Sequence, residues 1–345
     1  MTAPARPRSL LVLGEGSEAK DEGLSITTRT VVDALSGHTA LRVTTPRAAA
    51  LAPLSELRRF DAALCLVGPT AFTSLALGRF RFARWREGSR VVLGIIHPRT
   101  PLETLATVIV ARPDVTLSTC PGDDALARRG SRAIRRVPLA GVRGSRFRPP
   151  RNRQEVERLR TALGVPSDRL LVLHVGHLRH GRNLDALCGL VDDRTHVLVV
   201  ASASQPADAG LRARLVGRGI DVRVGYLPAI ENVYRAADVY AFPVLDPRHA
   251  IRTPLSVLEA RACGIPVLSS PFFGVAGFLG DDPLVSLASP ATWSGDLVAS
   301  LARSRREFRG PAARRVEWGT TIEAIIDGLG VRWGLAPTVT GGRGG

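Results

Sequence analysis

Apolar runs of strand length recur from one end of this chain to the other, most of them closing in a loop marked by glycine, proline or histidine. In the first half they fall at 9–13, 41–45, 61–67, 91–96, 116–118 and 134–139. The second half restarts the series at 170–175 and continues it at 197–201, 222–224, 239–242 and 266–269. Amphipathic segments lie between them, as at 25–35, where Ile26, Val31, Val32 and Leu35 share one face. Strands alternating with helices predict parallel sheets covered on both faces. A chain of 345 residues has material for two such units. Around Phe147-Arg148-Pro149-Pro150-Arg151-Asn152 the periodicity stops and proline and arginine take over, which predicts a linker. The expectation is therefore an α/β protein of two doubly wound, Rossmann-like domains facing a cleft, with domains at 1–148 and 149–315. The glycine-rich stretch 338–345 is expected to be a disordered tail. In such sheets ligands sit beyond the carboxyl ends of the strands, so the loops after the strands are where chemistry is sought.

Composition narrows the class. The longest apolar runs, at 10–13 and 197–203, fall far short of the ~20 residues that a membrane-spanning helix needs. The first nine residues hold two arginines and two prolines, unlike a signal peptide. A cytoplasmic protein is expected, with peripheral contact at the inner membrane face left open. Cys65, Cys120, Cys188 and Cys263 are scattered, which fits buried small side chains better than a disulfide framework or a zinc site. The formal charge is +16, and Lys20 is the sole lysine, as a high-GC genome would produce. Such a charge favours nucleotides, phosphates or an acidic lipid surface. No basic tail or aromatic-interleaved patch singles out nucleic acid, which is not expected as a partner.

The most specific stretch is Thr253-Pro254-Leu255-Ser256-Val257-Leu258-Glu259-Ala260-Arg261-Ala262-Cys263-Gly264-Ile265-Pro266-Val267-Leu268. It reads as Thr253 capping a helix that starts at Pro254, runs to Cys263 and stops at Gly264, with a buried strand after it. A helix start facing a cleft offers free N–H groups and a positive dipole end to an anion. Glu259 cannot bind phosphate, but it can accept hydrogen bonds from a vicinal diol such as ribose.

This stretch resembles the signature of retaining GT-B glycosyltransferases of the glycogen-synthase-like group (glycosyltransferase family 4), Glu-x7-Glu-Ala-x-Ala-x-Gly-x-Pro-Val. Three more segments resemble that family in the same order: Val175-Gly176-His177-Leu178 with Arg182, Val224-Gly225-Tyr226-Leu227-Pro228, and Tyr234 to Pro243. The first half matches only loosely. Val316-Glu317-Trp318, with the helix through Leu329, resembles the family's terminal helix, which implies that 316–332 crosses back to the first domain.

The resemblance implies a sugar transferred from a nucleoside diphosphate sugar to an acceptor hydroxyl with the anomeric configuration retained, with no metal and no further cofactor. It casts Glu259 on the nucleotide ribose, and Arg182 and His177 on the diphosphate. Thr253 is counted with this donor-binding helix start, where backbone amides at Leu255 and Ser256 hold the diphosphate or sugar. Gly23 and Gly176 lie where backbone approaches the donor, and His97 stands near the reaction centre. Catalysis would then rest on His97, Arg182 and His177. The acceptor is expected to be anionic or lipid-linked.

The match is broken at several points. Ile251 holds the family's first glutamate position, Pro254 stands where a glycine is usual, His177 replaces arginine and Arg182 replaces lysine. A histidine at 177 would weaken phosphate binding as pH rises. The missing glutamate keeps a rival open: a catalytically degenerate GT-B protein acting as a binding or scaffolding partner. A nucleotide-sugar epimerase on the same fold is a further rival; it would turn over donor without acceptor.

Overall fold

The computed structural model describes residues 9–15, 23–97, 100–307 and 316–330. The tail at 338–345 lies outside the described residues, as do 331–332 at the end of the expected terminal helix.

The first six strands form one wholly parallel sheet. In chain order the elements are β1 (Ser9–Leu13), α1 (Gly23–Ser36), β2 (Ala40–Thr44), α2 (Pro46–Leu51), α3 (Leu54–Leu57), β3 (Ala62–Cys65), α4 (Ala71–Ala83), β4 (Arg90–Gly94), α5 (Pro101–Ala111), β5 (Val115–Ser118), α6 (Pro121–Ala127) and β6 (Ala133–Arg136). The strand order is β2-β1-β3-β4-β5-β6. Strands such as β3 are buried at every position, as expected where helices cover both faces. One layer of that cover is α2, α4 and α5, whose Ala50, Leu77, Phe80 and Val108 pack on Leu11, Leu13, Ala63 and Val91. β6 ends at Arg136 rather than at 139. Pro138 lacks the N–H a ladder needs, and Leu139 turns into the left-handed region at φ 51°.

The second sheet comes after α7 (Arg153–Leu163). It is built from β7 (Leu170–Gly176), β8 (Thr195–Ala201), α8 (Ala209–Gly217), β9 (Asp221–Val224), α9 (Ile230–Ala236), β10 (Val239–Phe242), α10 (Leu255–Ala262), β11 (Val267–Ser269), α11 (Phe273–Leu279), β12 (Val285–Leu287) and α12 (Gly295–Glu307). Its order, β12-β11-β10-β7-β8-β9, is again wholly parallel. The chain reverses winding direction between β7 and β10, the switch point at which such sheets open a crevice. Finally α13 (Trp318–Gly328) returns to the first sheet: Gly328 meets Val92 and Val115, and Trp318 lies against Gly141.

The cap expected of Thr253 is not made. The N-cap of α10 is Pro254, whose ψ of 122° keeps it outside the helix, so Thr253 falls one residue too early. Its hydroxyl is buried without a hydrogen-bond partner. At the other end, Gly264 takes the left-handed conformation at φ 75° that stops the helix.

Candidate active site in the cleft

A cavity of about 380 Å³ opens at the carboxyl ends of the two sheets. The loop after β7 supplies Gly176, His177, Arg179 and Arg182. The loop after β10 supplies Arg248, His249, Ala250 and Ile251, and α10 adds Leu255, Ser256 and Glu259. Across from these stand Gly23, Leu24 and Ile26 of α1, and His97 after β4. Eight of the nine residues singled out in the sequence thus line one cavity. Thr253 does not; only 3% exposed, it is wedged beneath Gly274, where an added Cβ would lie 2.5 Å from its hydroxyl.

Arg182 is the most unusual charge here. It is 6% exposed, its Nη1 donates to the His249 carbonyl at 2.8 Å, and its Nε is buried without a partner. No carboxylate among the described residues forms an ion pair with it. Burial lowers its pKa to about 10, which still leaves it charged at neutral pH. A buried, unpaired cation costs several kcal/mol, so a position facing a cavity marks it for an anionic ligand. Gly176 makes the placement possible: a Cβ there would lie 2.6 Å from the guanidinium.

His174, on β7, stands beside it. Its Nδ1 lies 2.8 Å from the Ala241 carbonyl, which can only accept, so Nδ1 carries the proton and the partnerless Nε2 keeps its lone pair. Burial and the nearby Arg182 hold its pKa at about 3, so the ring stays neutral. A neutral ring adds no second charge beneath the guanidinium.

Glu259 sits elsewhere on the cavity wall. The Tyr234 hydroxyl donates to it at 2.9 Å, and the charges of Arg146 and Glu231 act on it as well. Burial raises its pKa to about 7, against the lowering pull of the Tyr234 hydrogen bond and Arg146. Neutrality therefore finds it divided between carboxyl and carboxylate, a state that hydroxyl donors would tip toward the ion. Between these groups the open first turn of α10 presents the amides of Leu255 and Ser256, with the Ser256 hydroxyl bonded to Tyr240.

The wall between the domains is apolar where the family motif carries its first glutamate. Ile251 faces Gly23, where an added Cβ would lie 3.1 Å from Ile251 Cδ1 and 3.8 Å from Leu255 Cδ1. The same loop is tied to the first domain by Arg252. Its amide donates to the Ile96 carbonyl at 2.9 Å, its guanidinium pairs with buried Asp123 at 3.0 Å, and it lies 4.1 Å above the Phe273 ring.

Sequence reasoning assigns no role to Arg146, His174 or Tyr234. Arg146 lines the cavity while bonded to Glu231 and the Pro228 carbonyl. Tyr234 falls within one of the family-like segments, where it reads as an apolar residue. A histidine inside a buried strand is the available signal for His174.

Two facing, doubly wound sheets with a cleft at their carboxyl ends define the GT-B architecture. The chain shares it with sucrose-phosphate synthase from Thermosynechococcus elongatus (TM-score 0.64, 15% identity, 93% of this chain and 97% of that one). It also shares it with the catalytic domain of starch synthase IV from Arabidopsis thaliana bound to ADP and acarbose (TM-score 0.64, 11% identity, 94% and 99%). Residues 169–303 match the family described as Glycosyl transferases group 1. The chain thus carries a Glycosyl transferases group 1 domain at 169–303 on a fold of GT-B architecture. Among curated proteins it is similar to D-inositol 3-phosphate glycosyltransferases. That of Saccharomonospora viridis is 31% identical over 261 residues, 67% of this chain and 58% of that protein. That of Mycolicibacterium gilvum is 30% identical over 191 residues, 50% and 41% respectively. The chain therefore spans roughly half the length of the curated relatives it matches.

Proposed function

We propose that this chain transfers a sugar from a nucleoside diphosphate donor to an acceptor hydroxyl, with retention at the anomeric carbon. The observation that carries the reading is Arg182: a buried guanidinium, unpaired by any described carboxylate, in a cleft whose wall also offers a helix start and the half-ionised Glu259. Glu259 takes the nucleotide ribose hydroxyls. Arg182, His177 and the amides of Leu255 and Ser256 take the diphosphate, with Gly176 and Gly23 giving it room.

As the bond from the anomeric carbon to the phosphate oxygen breaks, negative charge collects on the departing diphosphate. A guanidinium already desolvated and fixed in place stabilises that charge without reorganising, and contributes more than it would in water. The acceptor hydroxyl oxygen forms its new bond on the same face of the sugar that the diphosphate leaves, beside His97, and its proton passes to the departing diphosphate oxygen. The proposed chemistry uses no metal and no cofactor. The name of the relatives points to a phosphorylated polyol as acceptor class, and a net charge of +16 suits an anionic acceptor.

The test is a thermal-shift titration with UDP, GDP, ADP and TDP and their sugar conjugates. A ligand at a hundredfold excess over its dissociation constant stabilises the fold by about 2.7 kcal/mol. One nucleotide diphosphate is expected to raise Tm, with the shift lost in Arg182→Ala and Glu259→Ala. No shift at millimolar concentration of any of them would overturn the proposal.

A further inference from the structure

The outer face of the first domain is apolar where a water-facing surface should be polar. On α4 the residues Phe72, Leu75, Arg79 and Phe82 recur at three- and four-residue spacing along the side away from the sheet, and Trp85 comes in the next turn. Phe82 is 66% exposed and Trp85 71%. Helix α5 lies directly against α4, so close that a Cβ on Gly78 would meet Val110 at 2.7 Å. It turns Leu102, 75% exposed, outward with Ile109 and Val110. Large apolar side chains exposed together on two packed helices mark an interaction site.

Charge says what kind. From Ala71 to Arg86 the chain holds four arginines and no carboxylate, and the first acid, Glu87, is paired to Arg84. Arg86 lies 5.6 Å over the Trp85 ring and Arg47 6.0 Å over Phe72. No carboxylate among the described residues pairs with either. Aromatic rings flanked by unpaired arginines suit the boundary between lipid headgroups and acyl chains: rings enter the boundary and guanidinium groups stay with anionic headgroups. A protein partner would need carboxylates placed opposite Arg47 and Arg86, whereas an acidic lipid surface offers anionic groups at every position. Among the described residues no helix is long and apolar enough to cross a membrane, so the contact lies along the surface.

We propose that the α4–α5 face docks this domain on an anionic lipid surface. The geometry adds a direction. Both helices begin at the cleft, because α4 starts after the loop at Gly68 that packs on the His97 backbone, and α5 starts after His97 itself. Phe72 and Leu102 therefore sit at the cleft end of the face and Trp85 at the far end. Docking brings the cleft mouth near His97 down to the headgroups.

Flotation with vesicles of phosphatidylcholine alone, or with one third phosphatidylglycerol, tests this without any activity assay. The full chain is expected to float with the acidic vesicles and hardly at all with the neutral ones. Phe82→Ser with Trp85→Ser leaves net charge unchanged and is expected to cut binding at least tenfold, with Tm kept within about 2 °C. Arg47→Ser with Arg86→Ser should cut it several-fold, while Arg153→Ser with Arg158→Ser, on the second domain, should change it less than twofold. Binding that survives Phe82→Ser and Trp85→Ser, or an equal loss from the second-domain pair, would reduce the effect to net charge and overturn the proposal. So would absence of binding to acidic vesicles, or a dimer in equilibrium sedimentation that the Phe82/Trp85 variant dissolves.

Discussion

The two domains share an architecture and divide its burdens unequally. Each is a six-stranded parallel sheet, yet nearly all the costly polar groups at the cleft belong to the second. There Arg182 is buried without a carboxylate, His174 is held neutral beneath it, and Glu259 is pushed to a pKa of about 7. The first sheet and its covering helices offer the cleft Gly23, Leu24, Ile26 and His97, a wall that is mostly apolar. In the proposed function one domain grips a charged ligand, and the other shapes and shields what that ligand carries. Electrostatic strain accompanies the grip; the opposite wall needs only fit.

Substitutions can break that division. Arg182→Ala is expected to reduce transfer by about 10²–10³-fold, the range for removing one fixed donor to developing charge. It should weaken nucleotide diphosphate binding in parallel, with stability unchanged or raised. His97→Ala should lower turnover by roughly 10²-fold, with nucleotide affinity held within about twofold in calorimetry. Equal loss of nucleotide affinity in both variants would erase the contrast. Arg252→Ala strands buried Asp123 at the domain junction and should cost about 2–3 kcal/mol in a denaturant melt. A cost well under 1 kcal/mol would mean the domains meet without this tie. Gly176→Ala places its Cβ 2.6 Å from the Arg182 guanidinium and should weaken nucleotide binding by about tenfold, through displacement of a charge it does not itself carry.

The smallest effect is the most diagnostic. A carboxyl whose folded pKa is about 7, against an ordinary 4.5, holds its proton more tightly in the folded chain. Stability from this group is therefore full below pH 4.5 and is lost as pH rises through about 7. Glu259→Gln should raise Tm by roughly 2–4 °C at pH 8 and by less at pH 5. Relative to Glu259→Gln, the unaltered chain should gain about three- to tenfold in nucleotide affinity between pH 6 and pH 8, because any loss at His177 is common to both. A pH profile identical in both would remove Glu259 from the ribose.

Legibility in the sequence divides along the same line. Every strand but β12 is readable because buried parallel strands leave near-continuous apolar runs bounded by glycine and proline; β12 is a part-exposed edge strand of three residues and leaves no such run. The second-domain wall of the cavity is readable because α10 and its flanks combine a proline, a helix-stopping glycine and a carboxylate at fixed spacing. Helices α4 and α5 are not, and the reason is physical. A water-facing helix shows one apolar stripe, but Phe72, Leu75, Phe82 and Ile109 fill the outer side as well, so the periodicity that identifies helices is blurred there. Thr253 falls out of place by a single residue because Pro254 can stand at the first helical position or just before it. His174 and Tyr234 act through tertiary neighbours, Ala241 with Arg182 and Glu259 respectively, that no spacing along the chain reveals.

Because Glu259 rests near the midpoint of its titration, a nucleotide that captures the carboxylate must expel a fraction of a proton into solution. The heat recorded on binding then includes the buffer's own protonation. Titrations near neutral pH in phosphate and in Tris would differ by an amount proportional to their ionisation enthalpies, and the slope of that line would count the proton that one carboxylate in the cleft gives up.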